Sequence, residues 1–294
     1  LPAGKKTAAP VPGVPGLEMK TQHERTHTSE QNEKRPPRIT VAPAFLCFVS
    51  CVLIASLALS CSGAREVRLT TAQDQFEKAN GRFDSRRFLD ATDGFKLLLA
   101  QYPGSRYAEP ATFYLGKCYY ETEEFPLAEM EFEKVMRDFS RGSYAEEAAF
   151  MLGMCAFKQK RPAPYDQAQT EKAVLLFNSY LASHPQGVFA AKAEEALREC
   201  RAMLAQKLYL SGRLYVKLRD LEAARLCFQE VLDRFGEARW ADLALVEMAQ
   251  SYEKERNWNK AAETYRSVLA RNGDREALDV ARQRLKKVQQ KTGS

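Results

Sequence analysis

Beyond residue 70, apolar residues recur three and four positions apart, the spacing that gathers them on one face of an α-helix. Within this pattern an aromatic ring falls four residues after an alanine at Ala91/Phe95, Ala128/Phe132, Ala173/Phe177 and Ala224/Phe228, with Ala261/Tyr265 as a softer fifth copy. A small residue precedes several of these pairs: Gly116 stands twelve residues before Ala128, Gly212 twelve before Ala224, and Ala249 twelve before Ala261. The small residue lets one helix lie close to the next, and the ring fills the space between neighbouring helix pairs. Neither helix of a pair can bury its stripe alone, so the stack of pairs is the folding unit. Alternating Val/Ile/Thr-rich runs are absent, which excludes a series of strands.

Gly116-x2-Tyr119 leading to Ala128-x3-Phe132, and Gly212-x2-Tyr215 leading to Ala224-x3-Phe228, resemble the tetratricopeptide repeat. The intervals between successive rings are 37, 45, 51 and 37 residues. Tyr102-Pro103-Gly104-Ser105 and His184-Pro185-Gln186-Gly187 punctuate the helices. The two long intervals predict insertions. One is the Lys160-Arg161-Pro162-Ala163-Pro164-Tyr165-Asp166 stretch, where two prolines remove amide donors. The other is a long helix over 190–207 that runs into the next. After Asn272-Gly273, an Arg- and Lys-rich helix over 275–290 fits a terminal cap with one polar face. The expected fold is therefore all-α: a right-handed superhelical solenoid of about five tetratricopeptide-like helix pairs over 70–290, closed by a capping helix.

The front of the chain differs in kind. Residues 1–33 hold Pro, Gly, Ala, Ser and charge without periodicity and read as a disordered leader, with Met19 a candidate initiator. Lys34-Arg35-Pro36-Pro37-Arg38 precede an uncharged run over 39–64, so 34–60 reads as an export signal. The run closes with Leu57-Ala58-Leu59-Ser60-Cys61-Ser62-Gly63, which resembles a bacterial lipoprotein lipobox. Cleavage before Cys61 would leave it carrying diacylglycerol and an N-acyl chain, a firm anchor, with 61–69 a linker to the repeats. An uncleaved transmembrane helix is the alternative, since a span needs roughly 20 apolar residues. Both readings export the repeats from the cytoplasm. Ser62 after the cysteine fits sorting to the outer membrane.

The chain carries a net charge of +6, from 44 Lys+Arg against 38 Asp+Glu. Residues 1–60 hold seven cations and four acids, leaving 37 against 34 beyond, so the repeats are nearly balanced and charge gives nucleic-acid binding no support. Cys118, Cys155, Cys200 and Cys227 lack metal-ligand spacing and a nearby His, and read as buried free thiols. Of three histidines, His184 sits beside a helix-ending proline and reads as a turn residue. No Ser/His/Asp set, phosphate-binding loop or HExxH motif is present, so neither catalytic residues nor a metal site is expected, and no cofactor beyond the lipid on Cys61. Tyr102, Tyr107, Tyr114, Tyr119 and Tyr120 cluster over the first two repeats. Exposed, they would suit an extended peptide; otherwise Tyr119 fills the repeat's own core position and Tyr102 and Tyr107 bracket a turn.

Tyr102-Pro103-Gly104-Ser105-Arg106-Tyr107-Ala108-Glu109, Gly116-Lys117-Cys118-Tyr119-Tyr120, Pro126-Leu127-Ala128 and Pro164-Tyr165-Asp166-Gln167-Ala168-Gln169-Thr170 together resemble the BamD family, the tetratricopeptide lipoproteins of the outer-membrane barrel assembly machinery. The resemblance implies lipid anchoring at the periplasmic face of the outer membrane. It also implies binding to a BamA-like barrel insertase and the machinery's other lipoproteins, and capture of nascent outer-membrane proteins. By that likeness Tyr102, Tyr107, Tyr119 and Tyr120 face substrate, while Arg219, Arg225, Trp240 and Trp258 face the partner. A periplasmic repeat protein of the Tol-Pal envelope system is the alternative; it would carry a coiled coil before the repeats, and no sustained heptads precede them here. An enzyme is not expected, because no segment of domain size is left to house a catalytic centre.

Overall fold

A computed structural model describes residues 70–292. The leader (1–33), the export segment (34–60), and the linker with Cys61 (61–69) lie outside the described residues. Eleven helices make up the described residues: α1 (Ala72–Asp84), α2 (Phe88–Gln101), α3 (Ala108–Glu121), α4 (Phe125–Asp138), α5 (Ala145–Lys158), α6 (Ala168–Ser183), α7 (Ala190–Leu218), α8 (Leu221–Phe235), α9 (Arg239–Lys254), α10 (Trp258–Arg271) and α11 (Arg275–Thr292). They form five consecutive pairs and a final helix, a helical repeat solenoid.

Local chemistry sets the helix ends. Thr71 and Asp74 exchange hydrogen bonds in a capping box that starts α1. Asp220 and Asn257 accept backbone amides at the starts of α8 and α10, and Pro126 lies in the first turn of α4, where its missing amide costs nothing. Asn272 ends α10 in the left-handed conformation. In the insertion before α6, buried Gln167 donates to the carbonyls of Arg161 and Pro162, both at 3.0 Å, and Thr170 donates to its Oε1 at 2.7 Å. That amide replaces the backbone bonds the two prolines remove.

Phe95, Phe132, Phe177, Phe228 and Tyr265 are all fully buried. A Cβ placed on Gly116, Gly153 or Gly212 would stand 2.8, 2.5 or 2.5 Å from the ring of Phe132, Phe177 or Phe228, so the ring fits only because the side chain opposite is absent. Buried apolar residues divide into two clusters, from Ala79 to Cys200 and from Leu204 to Val288. The boundary falls inside α7, whose 29 residues fuse the expected long helix to the first helix of the fourth pair. Its first half closes the third pair against α6; its second half packs on α8.

Two further kinds of contact fasten the pairs together, the first at all four pair junctions and the second at two of them and at the final helix. One is aromatic: Tyr107 rests on Phe76, Tyr144 on Phe113, Phe189 on Phe150 and Trp240 on Tyr209, with centroids 5.3, 4.7, 4.8 and 5.2 Å apart. The other is a carboxylate reaching the following turn. Glu109 accepts the Tyr144 amide at 2.9 Å, Glu146 accepts the Val188 amide at 2.9 Å, and buried Asp242 accepts the Asp274 amide at 2.8 Å and Arg271 Nε at 2.5 Å. Charge-assisted bonds of this kind are about twice as strong as neutral ones.

Candidate functional site

The tyrosines expected to face a peptide divide by their surroundings. Tyr102 ends α2 and donates its hydroxyl to the Thr70 carbonyl at 2.6 Å. Tyr107 immediately precedes α3, half-buried between Phe76 on one side and the Arg106 guanidinium, 4.9 Å from its centroid, on the other. Tyr120 packs edge-on against Phe125, and burial pushes its hydroxyl up to about 12. Tyr119 is only 8% exposed, with Lys96 Nζ 5.4 Å from its ring centroid. It fills the repeat's core position and cannot offer its face to a peptide, which corrects the expectation for that residue. The cause is the periodicity itself: Tyr119 follows Gly116 by three residues and therefore points, like the glycine, towards the neighbouring helix.

The partner-facing expectations also separate. Arg219 is exposed and ends α7 with φ 65°. Arg225 is largely internal: its guanidinium lies 4.7 Å from the Tyr252 ring centroid, pairs with Glu255 at 2.9 Å and donates to Ser251 Oγ at 3.3 Å. Those bonds tie the fourth pair to the fifth. Trp240 belongs to the aromatic series at the pair junctions, in the position Tyr107 holds three junctions earlier. Trp258 opens α10 half-buried, with Lys291 of the capping helix 4.6 Å above its ring.

Two further places stand out in the structure, one around Tyr114 of the tyrosine cluster and one that the residue motifs left unread. Tyr114 sits among Phe76, Phe83, Phe95, Phe113 and Tyr144, with Lys117 Nζ within 6 Å of its own ring and those of Phe83 and Phe113 and 3.4 Å from Glu147. Between α5 and the first half of α7 lies an open groove of about 370 Å³, floored by Phe150, Met154, Phe157 and Ala196 and rimmed by Lys192, Glu195 and Glu199. An apolar floor with charges only at its rim accepts an extended or helical polypeptide. A signal for these places did exist in the sequence. Each junction carries an aromatic residue directly before an alanine, at Tyr107-Ala108, Tyr144-Ala145, Phe189-Ala190 and Trp240-Ala241.

The four described cysteines are free; burial pushes the Cys118 and Cys200 thiols up to about 11 and that of Cys155 to about 12, away from the thiolate a nucleophile needs. Among the described residues no cluster of His, Cys, Asp and Glu is placed to hold a metal ion, and no helix is long and apolar enough to cross a membrane.

A model of the family YfiO, described as an outer membrane lipoprotein, matches residues 69–269, from just before α1 to the last turn of α10. The chain belongs to this family. It is the BamD family, to which the motifs around Tyr102, Gly116 and Pro164 pointed. Of the sequence-predicted contact residues, Tyr102, Tyr107, Tyr119, Tyr120, Arg219, Arg225, Trp240 and Trp258 all lie inside the span of the YfiO match. A search of curated proteins found no match. Among solved structures, the chain is similar to the TPR2AB domain of yeast Sti1 in complex with pHSP90, at 15% identity over 75% of this chain and 84% of that one, TM-score 0.41. It is also similar to a tetratricopeptide repeat protein from Parabacteroides merdae, at 14% identity over 76% and 75%, TM-score 0.33. A third similar structure is a thermophilic TPR protein of Thermus thermophilus, at 13% identity over 74% and 98%, TM-score 0.33.

Proposed function

We propose that this YfiO-family chain is a non-enzymatic scaffold of the barrel assembly machinery. Diacylglycerol and an N-acyl chain on Cys61 hold it to the periplasmic face of the outer membrane. It binds a BamA-like barrel insertase and the machinery's other lipoproteins, and it takes up nascent outer-membrane proteins for insertion. The observation that carries this reading is the family match over 69–269, which spans all five helix pairs. In support, the described surface offers an apolar groove and half-buried rings. Within the reading, Tyr102, Tyr107 and Tyr120 belong to the substrate side, and Arg219 and Trp258 are the partner-side residues with atoms to spare.

Two measurements test it. Mass spectrometry of the mature amino terminus is expected to find a triacylated Cys61; an unmodified chain continuing through residue 60 would overturn the anchoring. Affinity purification from solubilised membranes is expected to recover a barrel insertase, and recovery of cytoplasmic proteins alone would overturn the scaffold role.

A further inference from the structure

In a regular stack the first helix of each pair is covered on both sides, and α3 and α9 accordingly bury eight residues each. The second half of α7 differs: beyond Ala205 only Tyr209 and Gly212 are buried. The reason is the fusion inside α7. At 1.5 Å per residue, Leu214 lies about 20 Å along the helix beyond Cys200, the last residue of the amino-terminal core. The third pair is left behind, and one face of the second half of α7 has no neighbour among the described residues. Leu214 and Leu218 stand on that face four residues apart, 55% and 66% exposed, while Leu210, one turn earlier, is half-buried against the carboxy-terminal core.

Charge selects what covers it. Residues 200–219 contain Arg201, Lys207, Arg213, Lys217 and Arg219 and not one acid. Arg201 pairs with Glu237 and Arg213 with Glu247, whereas Lys217 and Arg219 are exposed and Lys207 is half-buried beside the stripe. We infer that the open face of α7 docks an amphipathic helix of a partner protein, whose apolar stripe lies on Leu214 and Leu218 and whose acidic flanks meet Lys207, Lys217 and Arg219. Ridges spaced by four on one helix interdigitate with the same ridges on another. A second copy of this chain would set lysine against lysine, which opposes self-association. A lipid surface is a poorer occupant, because two exposed leucines and Tyr215 are a small apolar area for an interfacial helix.

The inference rests on the reading of the carboxy-terminal half as the partner-docking half, and its test is separable from that reading. The probe is a labelled 21-residue Ala-based peptide with Leu along one face and Glu on both flanks, titrated by fluorescence anisotropy against the full chain in detergent. A Lys-flanked peptide of the same apolar face serves as control. Saturable binding of the Glu-flanked peptide alone is expected, weakened at least about tenfold by L214Q/L218Q. K207E/K217E is expected to reverse the preference between the two peptides. Equal binding of both peptides, or no binding, overturns the inference, as does full-strength binding by L214Q/L218Q while circular dichroism reports native helix content. Anionic phosphatidylglycerol vesicles form a further arm: L214Q/L218Q-sensitive vesicle binding without peptide binding would assign the face to lipid and overturn the inference. An insertase that co-purifies undiminished with L214Q/L218Q sinks the inference and leaves the scaffold reading standing; absence of any insertase from wild type, with peptide binding intact, does the reverse.

Discussion

Phe189 stacks on Phe150 with ring centroids 4.8 Å apart and planes 11° from parallel, across the junction between the third helix pair and α7. Ring contacts at the same place, with planes 27°, 31° and 39° apart, join Phe76 to Tyr107, Phe113 to Tyr144 and Tyr209 to Trp240. The junction rings therefore secure the stacking of pair on pair, and two residues expected to meet ligands, Tyr107 and Trp240, stand in that series. Truncating either removes an aromatic contact and leaves a gap at a junction. Tyr107→Ala and Trp240→Ala are each expected to destabilise the solenoid by about 2 kcal/mol, less than a fully buried ring because both are half-buried. Urea titration followed by circular dichroism measures it. Wild-type midpoints in both variants would reassign the two rings to ligand contact alone.

Glycine at the paired position predicts opposite signs at two sites. At Gly212 an added methyl meets the Phe228 ring at 2.5 Å, and that ring is fully buried with nowhere to move. Gly212→Ala is expected to cost about 1–3 kcal/mol through overpacking. At Gly81, inside α1 on its exposed side, nothing lies within 4 Å of a new Cβ. Gly81→Ala is expected to stabilise by about 0.5–1 kcal/mol, from helix propensity alone. Thermal melts of the two variants side by side check the pair.

Periodicity carried most of the architecture. The Ala-x3-aromatic copies located every second helix of a pair, because the ring and the alanine face the same neighbour and nothing else satisfies that face. The prolines at 162 and 164 located the insertion. Individual roles were less legible, because one residue type serves two purposes here. Tyr119 and Tyr120 are adjacent in sequence, yet one is core and the other a half-buried surface ring, a distinction set by 100° of helix rotation and by the helix packed opposite. Arg225 gave no sign that Tyr252, Ser251 and Glu255 already engage it, since those partners lie a full helix away. The open face of α7 was equally hidden. Leu214 and Leu218 have the spacing of core residues, and it is the fused helix that carries them past the pair that would have covered them.

Stability is expected to fall as the solution becomes alkaline. Burial pushes Tyr120, Tyr180 and Tyr209 up to about 12, with hydrogen bonds to Glu146 and Glu247 adding to it for the last two, and raises Tyr265, which donates to Glu253, further still. The Cys118, Cys155 and Cys200 thiols are raised by burial as well. Each group holds its proton more tightly folded than unfolded. Its contribution is complete below the unfolded pKa and is lost as pH rises through the folded one. Melting temperature should therefore decline from about pH 9, where unfolded thiols begin to ionise, and steeply between about pH 10 and pH 12. Tyrosinate absorbance near the upper end should rise together with the loss of helix signal, and separate transitions would contradict the burial of these rings.

Arg219 allows the fold and the function to be pulled apart. Its φ of 65° recurs at the same place in other turns within helix pairs, at Arg86, Glu123 and Arg256, with φ of 59°, 62° and 59°. The side chain varies while the backbone conformation persists, so the turn demands the left-handed shape and not the guanidinium. A Cβ in that region costs about 1–2 kcal/mol, part of which glycine returns as unfolded-chain entropy. Arg219→Gly and Arg256→Gly are thus each expected to stabilise by about 0.5–1 kcal/mol. In a domain of this size that is a rise of roughly 1–4 °C in Tm. Only Arg219→Gly is expected to reduce the insertase recovered from membranes, because only Arg219 borders the basic end of α7. Equal recovery with both variants would remove Arg219 from the partner surface while leaving the turn argument intact.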